Sequence, residues 1–183
     1  MRVIAGSARR LLLKTPPGLK TRPTSDQIKE TLFNMLMPYV EGASFLDLYS
    51  GSGGIGIEAL SRGAKEAVFV ENDKAALKCI NDNLVNTHFT DIGKFMPMDV
   101  MSSLHQMEGK YTFDIVFMDP PYDNNFEENV LNYLSDSSLI NEDTLIIVEA
   151  SNQTEFDYLD SMGFEIKKIK KYKNSSHIFI EKK

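Results

Sequence analysis

The sequence predicts an α/β protein: a doubly wound, mostly parallel seven-stranded sheet with a C-terminal antiparallel hairpin and a short N-terminal extension. Three observations carry that expectation. From residue 44 onward, apolar strand-length runs alternate five times with helix-length segments, the signature of β/α units. The last two strand-like runs, Glu165–Lys171 and His177–Glu181, have only Tyr172–Ser176 between them. A parallel crossover needs a dozen or more residues, so these two must pair antiparallel. A glycine-rich turn, Gly51-Ser52-Gly53-Gly54-Ile55-Gly56, follows the first strand of the alternation.

In chain order, residues 1–14 read as a short hairpin, with Val3-Ile4-Ala5, a Gly6-Ser7 turn and Leu11-Leu12-Leu13. Lys14 to Arg22 carries Pro16-Pro17-Gly18 and reads as a loop. Thr24-Ser25-Asp26-Gln27 fits a capping box with Thr24 as the N-cap. Ile28, Leu32, Leu36 and Tyr39 lay an apolar stripe along the helix that follows. Strands are expected at 44–48, 66–71, 94–98, 113–118 and 143–149. Helices are expected near 54–62, 73–86, 101–107, 126–135 and 153–162. Residues 1–40 form an extension and residues 41–183 a single core domain.

The 183 residues are 42% hydrophobic and 25% charged, which excludes disordered and low-complexity classes. No apolar stretch approaches the roughly 20 residues of a membrane span, and Arg9 and Arg10 come too early for a signal peptide. Cys79 is the only cysteine, which excludes disulfides, a cysteine zinc site and a CxxC redox pair. A cytoplasmic protein is expected. The net charge of −6 hides an asymmetry. Residues 1–30 hold seven bases against two acids, and residues 165–183 hold seven lysines against two acids. Two basic ends flank an acidic body, which suggests a local footprint for a polyanion.

Gly51, Gly53 and Gly56 satisfy G-x-G-x-x-G in a strand–turn–helix setting, and Glu71 follows Gly51 by 20 residues. That spacing suits an adenosine-bearing ligand whose ribose Glu71 accepts. Asp47, four residues before Gly51, argues against a dinucleotide, because a carboxylate at the mouth of the loop would face pyrophosphate charge. A cationic ligand reverses the sign, and S-adenosylmethionine carries a sulfonium, an ammonium and no phosphate. The other reading of Asp47 is a strand-end carboxylate that caps backbone amides. Asp99, at the end of the third strand, offers an acceptor for the adenine amine, or is a plain turn aspartate.

The segment Phe113–Met118 runs into Asp119-Pro120-Pro121-Tyr122. Prolines fix φ and lack N–H groups, so the corner is stiff and its carbonyls are free to accept. Asp119 and the Pro120 carbonyl can take the two hydrogens of an aryl amine while Tyr122 stacks on the ring, worth roughly 1–3 kcal/mol. Two fixed acceptors help the nitrogen lone pair point at an electrophilic methyl, and Asp119 stabilises the charge that develops on nitrogen. No metal is required, and His88, His105 and His177 show no ligand spacing. Cys79, mid-helix beside Ile80, is far from the proline corner and reads as a core residue.

On these residues the chain resembles a class I S-adenosylmethionine-dependent methyltransferase with a Rossmann-like fold. More narrowly, it is similar to the bacterial 16S ribosomal RNA guanine-N2 methyltransferases of the RsmD type. The resemblance rests on Arg2-Val3-Ile4-Ala5-Gly6, Thr21-Arg22-Pro23-Thr24-Ser25-Asp26, the run Asp47–Ala64 and Asp119-Pro120-Pro121-Tyr122. It implies methyl transfer to N2 of one guanine in 16S RNA, within the 30S subunit or its precursor. It assigns Asp47, Gly51, Gly53, Glu71 and Asp99, with flanking Tyr49, Asn72 and Val100, to the cofactor, and Asp119–Tyr122 to the base. Residues 1–40 become the RNA-contacting extension of a methyltransferase core at 41–183, with Arg2, Arg9, Arg10, Lys14, Lys20 and Arg22 on phosphates. Arg10 stands where the family often has glycine, and Tyr172-Lys173 where Tyr-Gly is common. The rival readings are an N-methyltransferase for adenine N6 of DNA or a protein amide, a dinucleotide-dependent oxidoreductase, and an RNA-binding module without activity.

Overall fold

The computed structural model describes residues 1–17, 25–121 and 125–183. Its strands are β1 (Ser44–Leu48), β2 (Glu66–Glu71), β3 (Gly93–Pro97), β4 (Ile115–Met118), β5 (Leu145–Ser151), β6 (Phe164–Lys171) and β7 (Ser175–Lys182). They form one sheet in the order β3-β2-β1-β4-β5-β7-β6. The first five run parallel, and β7 lies antiparallel between β5 and β6. The order reverses between β1 and β4, which opens a crevice at their carboxyl ends.

Helices α1 (Asp26–Val40), α2 (Gly54–Ser61) and α3 (Lys74–Thr87) cover one face, and α4 (Val100–Met107) and α5 (Phe126–Ser135) the other. All five residues of β1 are buried, as a strand covered on both faces requires. Phe45 packs with Leu32, Phe33 and Phe117 in one core, while Leu46 and Leu48 join Leu104, Leu131 and Leu134 in the other. Alternate residues of β1 thus serve opposite layers.

The N-terminal segment forms a hairpin with a single bridge, Arg2 to Leu12. Its reversal is held by α2 instead of by a longer ladder. Ser7 N–H donates to the Ser61 carbonyl at 2.8 Å, and Ala8 N–H to Ser61 Oγ at 3.0 Å. Gly6, at φ +82°, has no room for a side chain, because a Cβ would stand 1.7 Å from the Ser61 oxygen. Arg10 sits at φ 73°, a left-handed conformation that glycine adopts without the Cβ penalty. Val3, Ala8 and Leu13 enter the same core as α1 and α2.

Glu58 of α2 joins these pieces. Its carboxylate accepts Ile4 N–H at 2.8 Å and Ala5 N–H at 3.1 Å, and pairs with Lys29 Nζ at 3.2 Å and Arg62 Nε at 2.8 Å. Lys29 and Glu58 are both fully buried, and Lys29 also donates to the Arg2 carbonyl at 2.6 Å. Burial lowers the Lys29 pKa, and the Glu58 charge opposes that fall. A buried charge that finds a counter-charge and backbone partners is tolerated where a lone one is not.

The helix at residue 26 differs from its expectation in two ways. Ser25 is the N-cap, accepting from Ile28 N–H at 3.2 Å, and Thr24 lies outside the described residues. Its buried stripe is Lys29, Leu32, Phe33, Leu36 and Val40, with Tyr39 exposed. The helix is turned so that Lys29 reaches Glu58. The helix expected over 153–162 is reduced to turns and a 3-10 helix at Asp160–Met162. Phe156, Tyr158 and Leu159, which contact the second core, do not share one helical face. The remaining elements match within about two residues, the usual scatter of boundaries. Among the described residues no helix is long and apolar enough to cross a membrane.

Replacing Lys29 by alanine should lower the unfolding free energy by about 3 kcal/mol, because Glu58 stays buried with a partner gone. Urea unfolding at constant m checks this. A loss below about 1 kcal/mol would mean that Arg62 and the two amides satisfy Glu58 alone.

Candidate active site

The crevice at the β1–β4 reversal gathers most of the residues singled out in the sequence. Asp47, one residue before the end of β1, is 1% exposed, and its Oδ2 accepts Gly56 N–H at 2.9 Å. The capping reading of Asp47 is therefore the observed contact. So buried a carboxylate can influence the crevice through its field and not by touch. Burial pushes its pKa up to about 7; the Gly56 N–H opposes the shift and the charge of Glu71 adds to it.

The loop after β1 is built from left-handed backbone at Tyr49, Gly51 and Gly53, with φ of 60°, 55° and 78°. Ser50 ties it down, its N–H donating to the Val70 carbonyl at 3.0 Å and its hydroxyl to the Asp47 carbonyl at 2.6 Å. The glycines have separate uses. A Cβ on Gly51 would meet nothing within 4 Å, so this glycine faces open space. A Cβ on Gly56 would stand 2.3 Å from Phe69 Cε1, so this one lets α2 pack on β2. Gly53 is the N-cap of α2.

Glu71 closes the loop from β2. Its Oε2 accepts Gly51 N–H at 2.8 Å, and its Oε1 accepts Asn72 and Asp73 N–H at 2.8 and 2.9 Å. Three of about four acceptor positions on this carboxylate are engaged, leaving fewer for a ribose than the sequence suggests. Asp99 is the N-cap of α4, its Oδ1 on Ser102 N–H at 2.9 Å, which holds its pKa below the ordinary range. Val100, the first residue of α4, is buried. Tyr49 is half-buried against Phe126, with ring centroids 6.2 Å apart. Burial, together with the charges of Glu127 and Asp99, pushes its hydroxyl up to about 12.

Across the crevice, Asp119 follows directly on β4. Burial raises its pKa well above the carboxylate range, and the charges of Glu149 and Asp47 add to the rise. Pro120 is buried and Pro121 exposed, while Tyr122 lies outside the described residues. Asp47 and Asp119 thus lie on adjacent strands, one from each side of the reversal.

Sequence reasoning missed three residues here. Glu149 of β5 is buried, and its carboxylate accepts the Ser175 hydroxyl at 3.2 Å and lies 3.1 Å from His177 Nε2. His177 is fully buried, with Nδ1 3.1 Å from the Tyr172 hydroxyl. Asn83 of α3 donates to the Ser52 carbonyl at 3.0 Å and the Lys14 carbonyl at 2.9 Å, linking the loop to the N-terminal segment. The only sequence signal for His177 and Glu149 is a polar residue inside an apolar strand.

Of the basic residues, Arg2 pairs with Asp26 and Lys14 with Asp82, each at 2.9 Å and exposed. Arg9 and Arg10 are exposed, and Lys20 and Arg22 lie outside the described residues. Among the described residues no group of three or more His, Cys, Asp or Glu could hold a metal ion.

A glycine loop at the reversal of a doubly wound sheet, facing an Asp-Pro-Pro corner, defines a class I methyltransferase. The family model described as conserved hypothetical protein 95 matches residues 1–181, and the chain belongs to that family. It is 38% identical to the putative rRNA methyltransferase YlbH of Bacillus subtilis, over 85% of each chain. It is 36% identical to ribosomal RNA small subunit methyltransferase D of Escherichia coli, over 82% of this chain and 74% of that one. The solved structure of the putative methyltransferase yhhF from Escherichia coli superposes with a TM-score of 0.88 at 31% identity, covering 100% of this chain and 98% of that one.

The division of labour among the glycines is testable. Gly56→Ala should cost about 1–3 kcal/mol, because Phe69 is buried and cannot give way. Gly51→Ala should cost about 1 kcal/mol for its left-handed φ alone. Thermal unfolding of both variants measures the difference, and equal losses would contradict the assignment.

Proposed function

We propose that this chain methylates the exocyclic N2 amine of one guanine in 16S ribosomal RNA, in the 30S subunit or its precursor, in the bacterial cytoplasm. Methylation of ribosomal RNA is the activity its relatives carry in their names, and the class I fold supports S-adenosylmethionine as the methyl donor. The observation behind the finer reading is the Asp119-Pro120 corner standing across the crevice from the glycine loop.

The residues present fit the cofactor. Gly51 leaves open space for close approach, Glu71 retains acceptor capacity for a ribose, and Asp99 and Val100 open α4 where adenine would lie. Buried Asp47 contributes a negative field suited to the cationic methionine end. When bound, S-adenosylmethionine supplies a methyl group on a sulfonium. The chain's own residues do the rest: Asp119 and the Pro120 carbonyl accept the amine hydrogens, Tyr122 stacks on the guanine, and the rigid corner holds the nitrogen in line. Such positioning is worth up to roughly 7–11 kcal/mol of barrier. Arg2, Arg9, Arg10, Lys14, Lys20, Arg22 and the lysines of β6 contact phosphates.

Methyl-labelled cofactor incubated with unmethylated small subunits, followed by nucleoside analysis, tests the reading. The expected product is N2-methylguanosine, and label on adenosine or on protein would overturn it. Asp119→Ala should lower turnover by at least about 100-fold while cofactor affinity stays level. Glu71→Ala should instead raise the cofactor Kd about tenfold, near 1.4 kcal/mol.

The RNA surface has its own readout. Affinity should fall steeply with salt, and neutralising Arg9, Arg10 and Lys14 together should reduce the log–log slope by about 0.7–0.9 per lost phosphate contact. An unchanged slope would remove these three residues from the interface.

A further inference from the structure

The reaction proposed above needs a proton acceptor, because a methylated amine nitrogen must shed one proton to end neutral. Two carboxylates stand side by side where that acceptor is required. In the β4–β5 register Met118 lies opposite Val148, so Asp119 and Glu149 occupy the next position on neighbouring strands and on one face. Glu149 is in turn opposite His177 on β7. Asp119, Glu149 and His177 therefore form a row across three strands at the carboxyl edge of the sheet.

The two carboxylates are not equivalent. Glu149 is buried and held by Ser175 Oγ at 3.2 Å and His177 Nε2 at 3.1 Å. His177 is fixed in turn, with the Tyr172 hydroxyl 3.1 Å from Nδ1 and its ring edge-on to Phe117, centroids 6.0 Å apart. The consistent proton pattern puts Nε2–H toward Glu149 and leaves Nδ1 to accept from Tyr172. Donors on a carboxylate favour its ionised form, and a negative neighbour raises the proton affinity of the carboxylate beside it.

Resting on the proposed function, we propose that Glu149, held by the His177–Tyr172 chain, is a positioning residue that keeps its own charge and makes Asp119 the carboxylate that takes the proton released by the methylated amine. The bond bookkeeping is simple. The N–C bond forms as the S–C bond breaks, and the surplus N–H proton passes to a carboxylate oxygen of Asp119. Among the described residues, the titratable groups facing Asp119 are Asp47 on β1, Glu149 on β5 and, one strand further, His177 on β7 with Tyr172 at the turn. Tyr49 follows β1 at the same end.

The test is a carbon-13 carboxylate titration of Asp119 in the ligand-free protein, run beside the pH profile of kcat/KM. Removing the negative neighbour in Glu149→Gln should lower the Asp119 midpoint by about one pH unit. The acidic limb of kcat/KM should move down with it, since Asp119 must be ionised to accept. His177→Gln should move both in the same direction, because Glu149 is then no longer held beside Asp119. Far-UV circular dichroism confirms that each variant is folded. A midpoint unmoved in both folded variants would overturn the proposal and leave Glu149 a packing residue. A shifted midpoint without methyl transfer to ribosomal RNA would instead sink the functional reading while the charge assignment stands.

Discussion

The hydrogen bond from Gly56 N–H to the Asp47 carboxylate is the constraint on which the rest of the site depends. It crosses nine residues, from the last turn of a buried strand to the first turn of a helix, and so closes the glycine loop from inside. With that distance set, Tyr49, Gly51 and Gly53 must take left-handed backbone to fit the chain between its two ends. The loop then presents Gly51 N–H to Glu71. The same carboxylate raises the cost of charge at Asp119, so one buried acid influences both sides of the crevice.

Helix α2 extends this constraint in the opposite direction. All eight of its residues are buried, and its first turn carries the loop while its second carries Glu58. Through Glu58 and Ser61 the N-terminal hairpin is bonded to the helix that starts at the glycine loop. A second link runs from Lys14 through Asn83 to Ser52. Basic residues of the N-terminal segment are therefore held in fixed relation to the crevice by buried polar groups, not by a tether.

The strands and most helices were legible because β/α units alternate apolar runs with amphipathic ones, and sheet burial leaves little choice. The loop was legible because its spacing reflects backbone geometry, and Gly56 against Phe69 shows why one position admits no side chain. The positions that were not legible depend on partners far away in sequence. Lys29 reads as a solvated lysine until Glu58 is known to lie across from it, 29 residues on. Glu149 and His177 read as strand polar residues until the β5–β7 register pairs them. Asp47 stays open in the sequence between a ligand role and an amide cap, because spacing locates a residue without telling which way its oxygens are engaged. The segment 153–162 failed for a local reason, since its apolar residues satisfy the core without a helical stripe.

The outer strand β6 has a consequence unrelated to catalysis. It ends the sheet with a row of amides and carbonyls that pairs with no further strand among the described residues, and Ile166 and Ile169 lie exposed along it. Such a border invites a second chain to extend the sheet. Here Lys168, Lys170 and Lys171 load it with like charge, while Lys167 is paired with Glu165 and Glu181, and the register slip between Ile166 and Lys168 spoils its regularity. The lysines that suit a polyanion also keep two copies of the molecule from fusing edge to edge, and a variant stripped of them would trade solubility for fibre growth.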